Sequence, residues 1–417
     1  MPAVILGNTV TGIATVRALA ERGVEVHACL FRSDDPLQYS RYAVKVPCYQ
    51  FGDDSQALID FLMGYAKKIG RRPVLIPTGD AHALMLAKNA EQLRPYYRLW
   101  ELPYADLGRI VNKTSLYQAA QEAGAPIIPS LSMPTVAEVL EWSSQHSGPY
   151  LLKPSYDGIN TCKLRGKNLL LETRDQLVNY VSHYGTDSLV IQRMIRGGDG
   201  NIFDCYGLCD REGRVVTLSS HRRLRQFPPD FGATCLGEIP AALPSTDEKF
   251  LFDATERLFK TVRFHGIFGI EWLRDTKTGA FYLIDFNARP FLTIGHLHDC
   301  GVNLPWLAYL DLTGQSLANV DPRPPVKHKR WVYFSKDIDT FREIRSHGTI
   351  GWFGWVASIA RCTSFAYVSR RDPLPGLHSL LSIARRAVKF AFRKTKSNSL
   401  AEPEESATSA AARTLPR

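Results

Sequence analysis

The chain has 417 residues, long enough to bury several hydrophobic cores, so two to four domains or lobes are expected. Its 45% apolar and 22% charged content is that of an ordinary globular protein. Its longest apolar stretch, residues 350–360, is stopped by Arg361, well short of the ~20 residues a membrane-spanning helix needs. The formal charge of +10 is uneven: residues 327–417 carry 17 Lys and Arg against 7 Asp and Glu, whereas residues 1–326 carry 34 of each. A neutral body argues against a nucleic-acid-binding core and assigns the excess to a C-terminal extension.

The eight cysteines form no Cys-x-x-Cys pair. Cys205 and Cys209 have no second ligand pair near them in sequence, so reduced, partly buried thiols of a cytoplasmic protein are expected rather than a metal site. The opening residues run directly into an apolar segment without a basic region, so no signal peptide is expected.

In chain order, Ala3-Val4-Ile5-Leu6 ends at Gly7 and reads as a buried parallel strand. Residues 11–22 follow with helical spacing and Gly23 as a stop, and residues 24–30 form a second strand. This is the start of a doubly wound layer, continued by a strand at 74–77, the loop Thr78-Gly79-Asp80 and a helix over 81–89. The loop 7–12 departs from Gly-x-Gly-x-x-Gly, with Thr9 at the second glycine position. It therefore gives only weak support to a dinucleotide-dependent oxidoreductase, against a glycine turn that lets a helix pack on the sheet. Beyond residue 110 the pattern changes. Helices are expected at 113–123, 174–184 and 247–263. Strands are expected at 150–154 and 189–192, in a hairpin of 201–208 with 215–219, and in a second hairpin of 269–273 with 281–285. The order fits two α+β lobes, without an internal repeat.

The second hairpin carries the chemistry. Glu271 and Asp285 lie on adjacent strands, Asn287 shares the face of Asp285, and Arg289 continues the period of two. Two carboxylates and an amide oxygen are hard ligands for Mg²⁺, and a guanidinium beside them can meet a phosphoryl group or an anionic intermediate. The alternative is the polar outer face of an exposed hairpin, whose other face, with Ile270, Trp272, Ile284 and Phe286, is buried. Lys153 ends an apolar strand and so requires an anionic partner. Lys113 by itself reads as a solvated lysine at a helix start. Arg222, Arg223 and Arg225 stand within four residues and would repel if unpaired. An anionic substrate or phosphate is the expected partner, with Arg225 placed first and Arg223 second because strand alternation puts both on one face; a solvated basic loop is the alternative.

Glu271, Asp285, Asn287 and Arg289, in that order and spacing, resemble the ATP-grasp superfamily, in particular its carboxylate–amine ligase group, to which D-aspartate ligase belongs. The resemblance covers roughly residues 1–325. Asp285 stands where many members carry glutamate. The resemblance implies α/β and α+β architecture: a Rossmann-like pre-ATP-grasp domain (1–110), a lid subdomain (111–190) and a catalytic subdomain (191–326); beyond it, charge and composition give a basic extension (327–396) and a disordered tail (397–417). It further implies that Lys113 and Lys153 contact ATP phosphates and that the loop 155–160 closes over them. Gln192, Met194 and Ile195 would receive adenine, and Asp199 the ribose. Glu271, Asp285 and Asn287 would hold Mg²⁺ or Mn²⁺, and Arg289 would stabilise the reacting group. The implied reaction activates a small carboxylate as an acyl phosphate, which an amine converts to an amide. An ATP-grasp enzyme of another outcome, such as carboxylation or acyl transfer to a carrier protein, and a silent nucleotide-binding protein are the remaining readings.

In the extension, Leu380, Ile383, Ala384, Ala387, Val388 and Ala391 follow helical spacing beside a dense run of arginines and lysines. An amphipathic helix on an anionic membrane or an acidic partner competes with a helix packed on the ATP-binding lobe, and the second is slightly favoured. A cytoplasmic chain, peripheral to the inner membrane surface in the first case, is expected, with a homodimer left open and no nucleic acid.

Overall fold

The computed structural model describes residues 1–7, 9–52, 55–155, 164, 168–195, 197–230, 232–346, 348 and 350–399, with side chains as far as residue 386. The loop 155–160 beyond Ser155, Arg196 and the tail from residue 400 lie outside the described residues. Three sheets organise the chain. The first is parallel throughout, with β1 (Ala3–Leu6), β2 (Val26–Leu30), β3 (Ala43–Pro47) and β4 (Val74–Pro77) in the order β3-β2-β1-β4. Every residue of β1, β2 and β4 is buried, as continuous apolar strands covered on both faces must be. Helix Thr9–Ala20 packs Ile13, Val16 and Leu19 on one face, and helix Ser55–Ile69 packs Leu58, Ile59 and Leu62 on the other. The order reverses beside β1, which opens a crevice at the carboxyl ends of β1 and β4. Gly7 closes that end of β1 at φ +123°, where a Cβ would collide with the Thr78 side chain.

The second sheet is antiparallel: β5 (Ser130–Ser132), β6 (Tyr150–Pro154), β7 (Leu169–Leu171) and β8 (Leu189–Arg193), in the order β5-β8-β6-β7. Its own small core joins Tyr150, Leu152 and Ile191 to Val139, Leu177 and Val181 of two helices that each begin with a capping box.

The third and largest sheet contains β9 (Ile202–Cys209), β10 (Val215–Phe227), β11 (Ala233–Ile239), β12 (Gly266–Arg274), β13 (Phe281–Asn287), β14 (Lys329–Val332) and β15 (Ser364–Phe365), in the order β13-β12-β9-β10-β11-β14-β15. Helices Lys113–Glu122 and Ser245–Thr261 cover one face around Phe264, Phe268 and Trp272. Two features depart from the sequence expectation. β10 does not end near residue 219 but runs through the basic segment to Phe227. From the expected extension, β14 hydrogen-bonds onto β11 and β15 onto β14, and together they complete the third sheet. Among the described residues no helix is long and apolar enough to cross a membrane.

A buried ion pair ties the two ends of the chain together. Arg17 donates from Nε to Asp372 at 3.0 Å and from Nη2 to the carbonyls of Tyr367 and Asp372 at 2.8 and 2.9 Å. Asp372 also accepts from the Ser40 hydroxyl at 2.8 Å and the Arg41 amide at 3.0 Å. Asp372→Ala would leave Arg17 buried without a counter-charge, and a loss of about 3–5 kcal/mol in unfolding free energy is expected. Urea titration reads this directly. Arg17→Met combined with Asp372→Leu should recover most of the loss, whereas simple additivity of the two single losses would contradict the pairing.

Candidate functional site

A cleft of about 1020 Å³ opens where the three sheets meet, lined by Thr9, Thr78 and Asp80 from the first, Lys153 and Gln192 from the second, and Glu271, Asp285 and Asn287 from the third. β12 and β13 pair antiparallel with Glu271 opposite Asp285 and Gly269 opposite Asn287, which brings the two carboxylates and the amide to one face. Asn287 Nδ2 donates to Glu271 Oε1 at 3.0 Å. Between Glu271 and Trp272 the register slips, so that Trp272 faces Leu283 and Ile284 is the extra residue. The expected burial of Ile284 is thereby corrected: Leu283 takes the core place, while Ile284 is half-buried and lines the cleft.

Both carboxylates face cations. Arg223 Nη2 lies 2.6 Å from Glu271 and 2.8 Å from Asp204, and Lys113 Nζ lies 3.3 Å from Asp285. Burial pushes the Glu271 carboxyl up from its ordinary value despite Arg223. Burial alone would raise Asp285 as well, but Lys113 and Lys153 together outweigh it and hold the group below the usual carboxylate value. Among the described residues no three His, Cys, Asp or Glu side chains converge as metal ligands. A cation here would draw on two carboxylates, the Asn287 amide oxygen and oxygens of a bound ligand. That all-oxygen set fits Mg²⁺ and does not resemble a zinc site.

Lys113 is not a solvated helix lysine; it is 6% exposed. Asn112 caps its helix by accepting from Thr114 and Ser115, and the Lys113 amide donates to the Ser155 carbonyl at 2.9 Å, next to the end of β6 where Lys153 lies. Gln192 is 1% exposed, and its Oε1 is a buried acceptor without a protein donor. Such an orphan on a cleft wall requires a ligand or water donor, which fits the amino group of an adenine. Met194 and Ile195 line the same wall, although the Met194 amide is already committed to the Pro149 carbonyl at 2.7 Å. Asp199 is not among the lining residues. Its carboxylate accepts from the Gln226 amide at 2.8 Å, and from Gln226 Nε2 and the Asp230 amide at 3.0 Å each, so it braces the tip between β10 and β11. In the loop 7–12 the Thr9 amide donates to Asp35 at 2.7 Å and is not free for a pyrophosphate.

The arginines divide. A bulge at Leu224, where β10 takes two steps against one on β11, breaks the alternation that would place Arg223 and Arg225 together. Arg223 enters the cleft. Arg225 turns to helix Phe334–Ser346, where it binds Asp337 through Nε at 2.7 Å and Nη2 at 3.0 Å, and donates to Ser358 at 2.9 Å. Its expected place in the cleft is corrected by this flip. Arg289 lines the cleft and holds both oxygens of Asp80 at 2.9 and 2.7 Å, across from the first sheet.

Asp204 and Lys336 also line the cleft and are not among the candidates read from the sequence. Asp204 is 1% exposed within the fully buried β9, bound to Arg223 and, at 2.7 Å, to His221. A lone acid in an eight-residue apolar strand is a legible signal, because it cannot be buried unpaired. Lys336 reaches the cleft from the extension and lies over the Phe227 ring at 4.3 Å; nothing in its local sequence marks it.

No family profile matches the chain. D-aspartate ligase of Enterococcus faecium (strain Aus0004) is 22% identical over 305 residues, 69% of this chain and 70% of that protein. N5-carboxyaminoimidazole synthetase of Staphylococcus aureus superposes with a TM-score of 0.63 at 14% identity, over 83% of this chain and 86% of its own. The biotin carboxylase domain of Hydrogenobacter thermophilus 2-oxoglutarate carboxylase, in complex with MgADP and bicarbonate, gives 0.61 at 16%, over 79% and 73%. L-amino acid ligase of Bacillus licheniformis gives 0.58 at 17%, over 77% of each chain. At these identities the structural likenesses establish the fold.

The Arg225–Asp337 pair predicts a separation of stability from ligand binding. Arg225→Ala should cost about 3–5 kcal/mol in urea unfolding, since it strands Asp337. Arg225→Met with Asp337→Leu should regain most of this and bind nucleotide like the unaltered chain. Lost nucleotide binding in the refolded double variant would return Arg225 to the cleft.

Proposed function

We propose, from the premise that this chain is an ATP-grasp protein of the carboxylate–amine ligase type, that it joins a small carboxylate, such as an amino acid, to an amine through an acyl phosphate at the cost of one ATP. The observation that carries this reading is the paired face of Glu271, Asp285 and Asn287, bordered by Lys113, Arg223 and Arg289 in one cleft.

In this reading ATP and Mg²⁺, with Mn²⁺ as a substitute, are the cofactors, and Glu271, Asp285 and Asn287 would hold the metal. Bound there, the metal supplies charge neutralisation and polarisation at the transferring phosphoryl group. Gln192 gives its orphaned amide to the base, and the wall at Met194 and Ile195 encloses it. Lys113 and Lys153 neutralise phosphate, with Lys113 exchanging Asp285 for the incoming anion. Arg223 holds Glu271 and Asp204 in place and opposes the cost of their burial. A substrate carboxylate oxygen attacks the γ-phosphorus, the bond to the β-bridging oxygen breaks, and ADP leaves. The amine then attacks the acyl carbon, the bond to the phosphate oxygen breaks, and the nitrogen gives up its proton. Arg289, released from Asp80, stabilises the oxyanion or the departing phosphate. Asp199 would reach ribose hydroxyls only by giving up part of its bonding to the β10–β11 tip.

The carboxylase reading uses the same cleft and differs in product. ADP release that depends on an added amine, with an amide detected by mass, separates the two. The same proposal takes the chain as cytoplasmic, leaves a homodimer open, and treats contact with a membrane as separable from catalysis. Asp285→Asn and Lys153→Ala should each reduce ADP formation by at least about a thousandfold, the scale on which loss of a preorganised charge acts. Retained turnover in both variants, assayed by coupled ADP release, would overturn the site.

A further inference from the structure

The positive charge of the C-terminal region coincides with the exposed apolar surface of the fold. Nine of the eighteen large hydrophobic side chains exposed among the described residues fall between Trp352 and Leu381. Helix Trp352–Ala360 has no charged residue and is apolar on both faces. Its inner face is docked: Trp355 stacks on Phe341 with centroids 4.7 Å apart and donates its indole N–H to Asp337 at 2.7 Å, while Ser358 accepts from Arg225. Its outer face, Phe353, Val356, Ala357 and Ala360, is exposed at helical spacing, Phe353 to 94%. A helix fixed by one face would ordinarily turn polar residues to water on the other.

Helix Pro373–Ser399 shows the same inversion. It is anchored by His378 against Tyr39, with ring centroids 4.5 Å apart, and by Arg386 at 3.9 Å from Asp339. Leu374, Leu377, Leu381 and Ala384 form an exposed stripe at helical spacing, with Leu380 beside it. Of the stripe expected from the sequence, Leu380 and Ala384 are exposed and Ile383 is half-buried, while the side chains of Ala387, Val388 and Ala391 lie outside the described residues.

Charge selects the cover for these stripes. Between residues 350 and 399 nine arginines and lysines stand against one acid, Asp372, and that acid is buried against Arg17. Arg361, Arg370, Arg371, Arg385 and Arg386 are all exposed. A second copy of the chain would bring the same excess of positive charge, of which, among the described residues, only Arg371 and Arg386 stand near acids, Glu21 and Asp339. A spanning segment is unavailable, since no described helix is long and apolar enough. We infer that the C-terminal extension is a docking surface for an anionic lipid bilayer. Phe353, Val356 and the leucine stripe enter the acyl boundary, and the arginines remain with headgroup phosphates. The catalytic cleft then works on substrates delivered at or near a membrane surface.

The test uses the full chain with sedimentation on vesicles of phosphatidylcholine and of phosphatidylcholine mixed with phosphatidylglycerol. Binding to the mixed vesicles alone, weakened by added salt, is expected. Phe353→Glu and Leu377→Glu, both at exposed positions that the fold does not need, should each lower partitioning by about tenfold or more, the scale of withdrawing one large apolar side chain from cover. ADP formation in solution should be unchanged in both. Failure to sediment with the anionic vesicles overturns the inference, as does equal sedimentation of both variants, which would leave only charge. Concentration-dependent dimerisation abolished by Phe353→Glu would overturn it in favour of a second copy, and salt-sensitive capture by an acidic protein without vesicle binding would overturn it in favour of that partner.

Discussion

Arg223 is the interaction on which the catalytic half of the molecule depends. Its guanidinium, 6% exposed, bridges Glu271 and Asp204, two carboxylates from adjacent strands that could not both be buried and charged without it. Asp204 in turn holds His221, whose ring reaches the Tyr206 hydroxyl at 3.2 Å. The face proposed to hold a cation and phosphate is therefore cross-linked by ion pairs before any ligand arrives. Lys113 does the same for Asp285 from a helix that caps itself on Asn112. Preorganisation of this kind is what lets a cleft stabilise a transferring phosphoryl group without rearranging its own dipoles.

The second dependence is between the extension and the cleft. β14 adds to β11, Asp337 holds Arg225, Thr340 donates to the Gln226 carbonyl at 2.8 Å, and Lys336 lies at the cleft wall beside Phe227. The strand that carries Arg223 is thus braced from behind by residues more than a hundred positions later. The extension is part of the third sheet, which walls the cleft.

How much of this could be read from the sequence follows from what leaves a local trace. The hairpin of Glu271 and Asp285 was legible because carboxylates alternate with core residues at the period of a strand, and the register confirms their opposition. The parallel layer was legible in the apolar runs of β1 and β4 and in β2, interrupted only by His27, while β3, with only Ala43 and Val46 buried, has no such run. Arg225 was misplaced because the register slips at Leu224 and slips back before Gln226, so the alternation fails locally, and such an irregularity has no composition of its own. Asp199 and Met194 are engaged by partners distant in sequence, Gln226 and Pro149, which spacing cannot reveal. The exposed leucines of the last helix have the same spacing as a core stripe; only the tertiary structure distinguishes them.

The central claim is that this cleft transfers the γ-phosphoryl group of ATP to a carboxylate oxygen. The direct measurement supplies heavy-oxygen-labelled amino acids and small carboxylates with ATP, Mg²⁺ and an amine panel, and determines by mass where the label goes. The account predicts that inorganic phosphate released with the amide carries one labelled oxygen from the carboxylate. Unlabelled phosphate accompanying amide formation, or no carboxylate-dependent phosphate with any member of the panel, would contradict it.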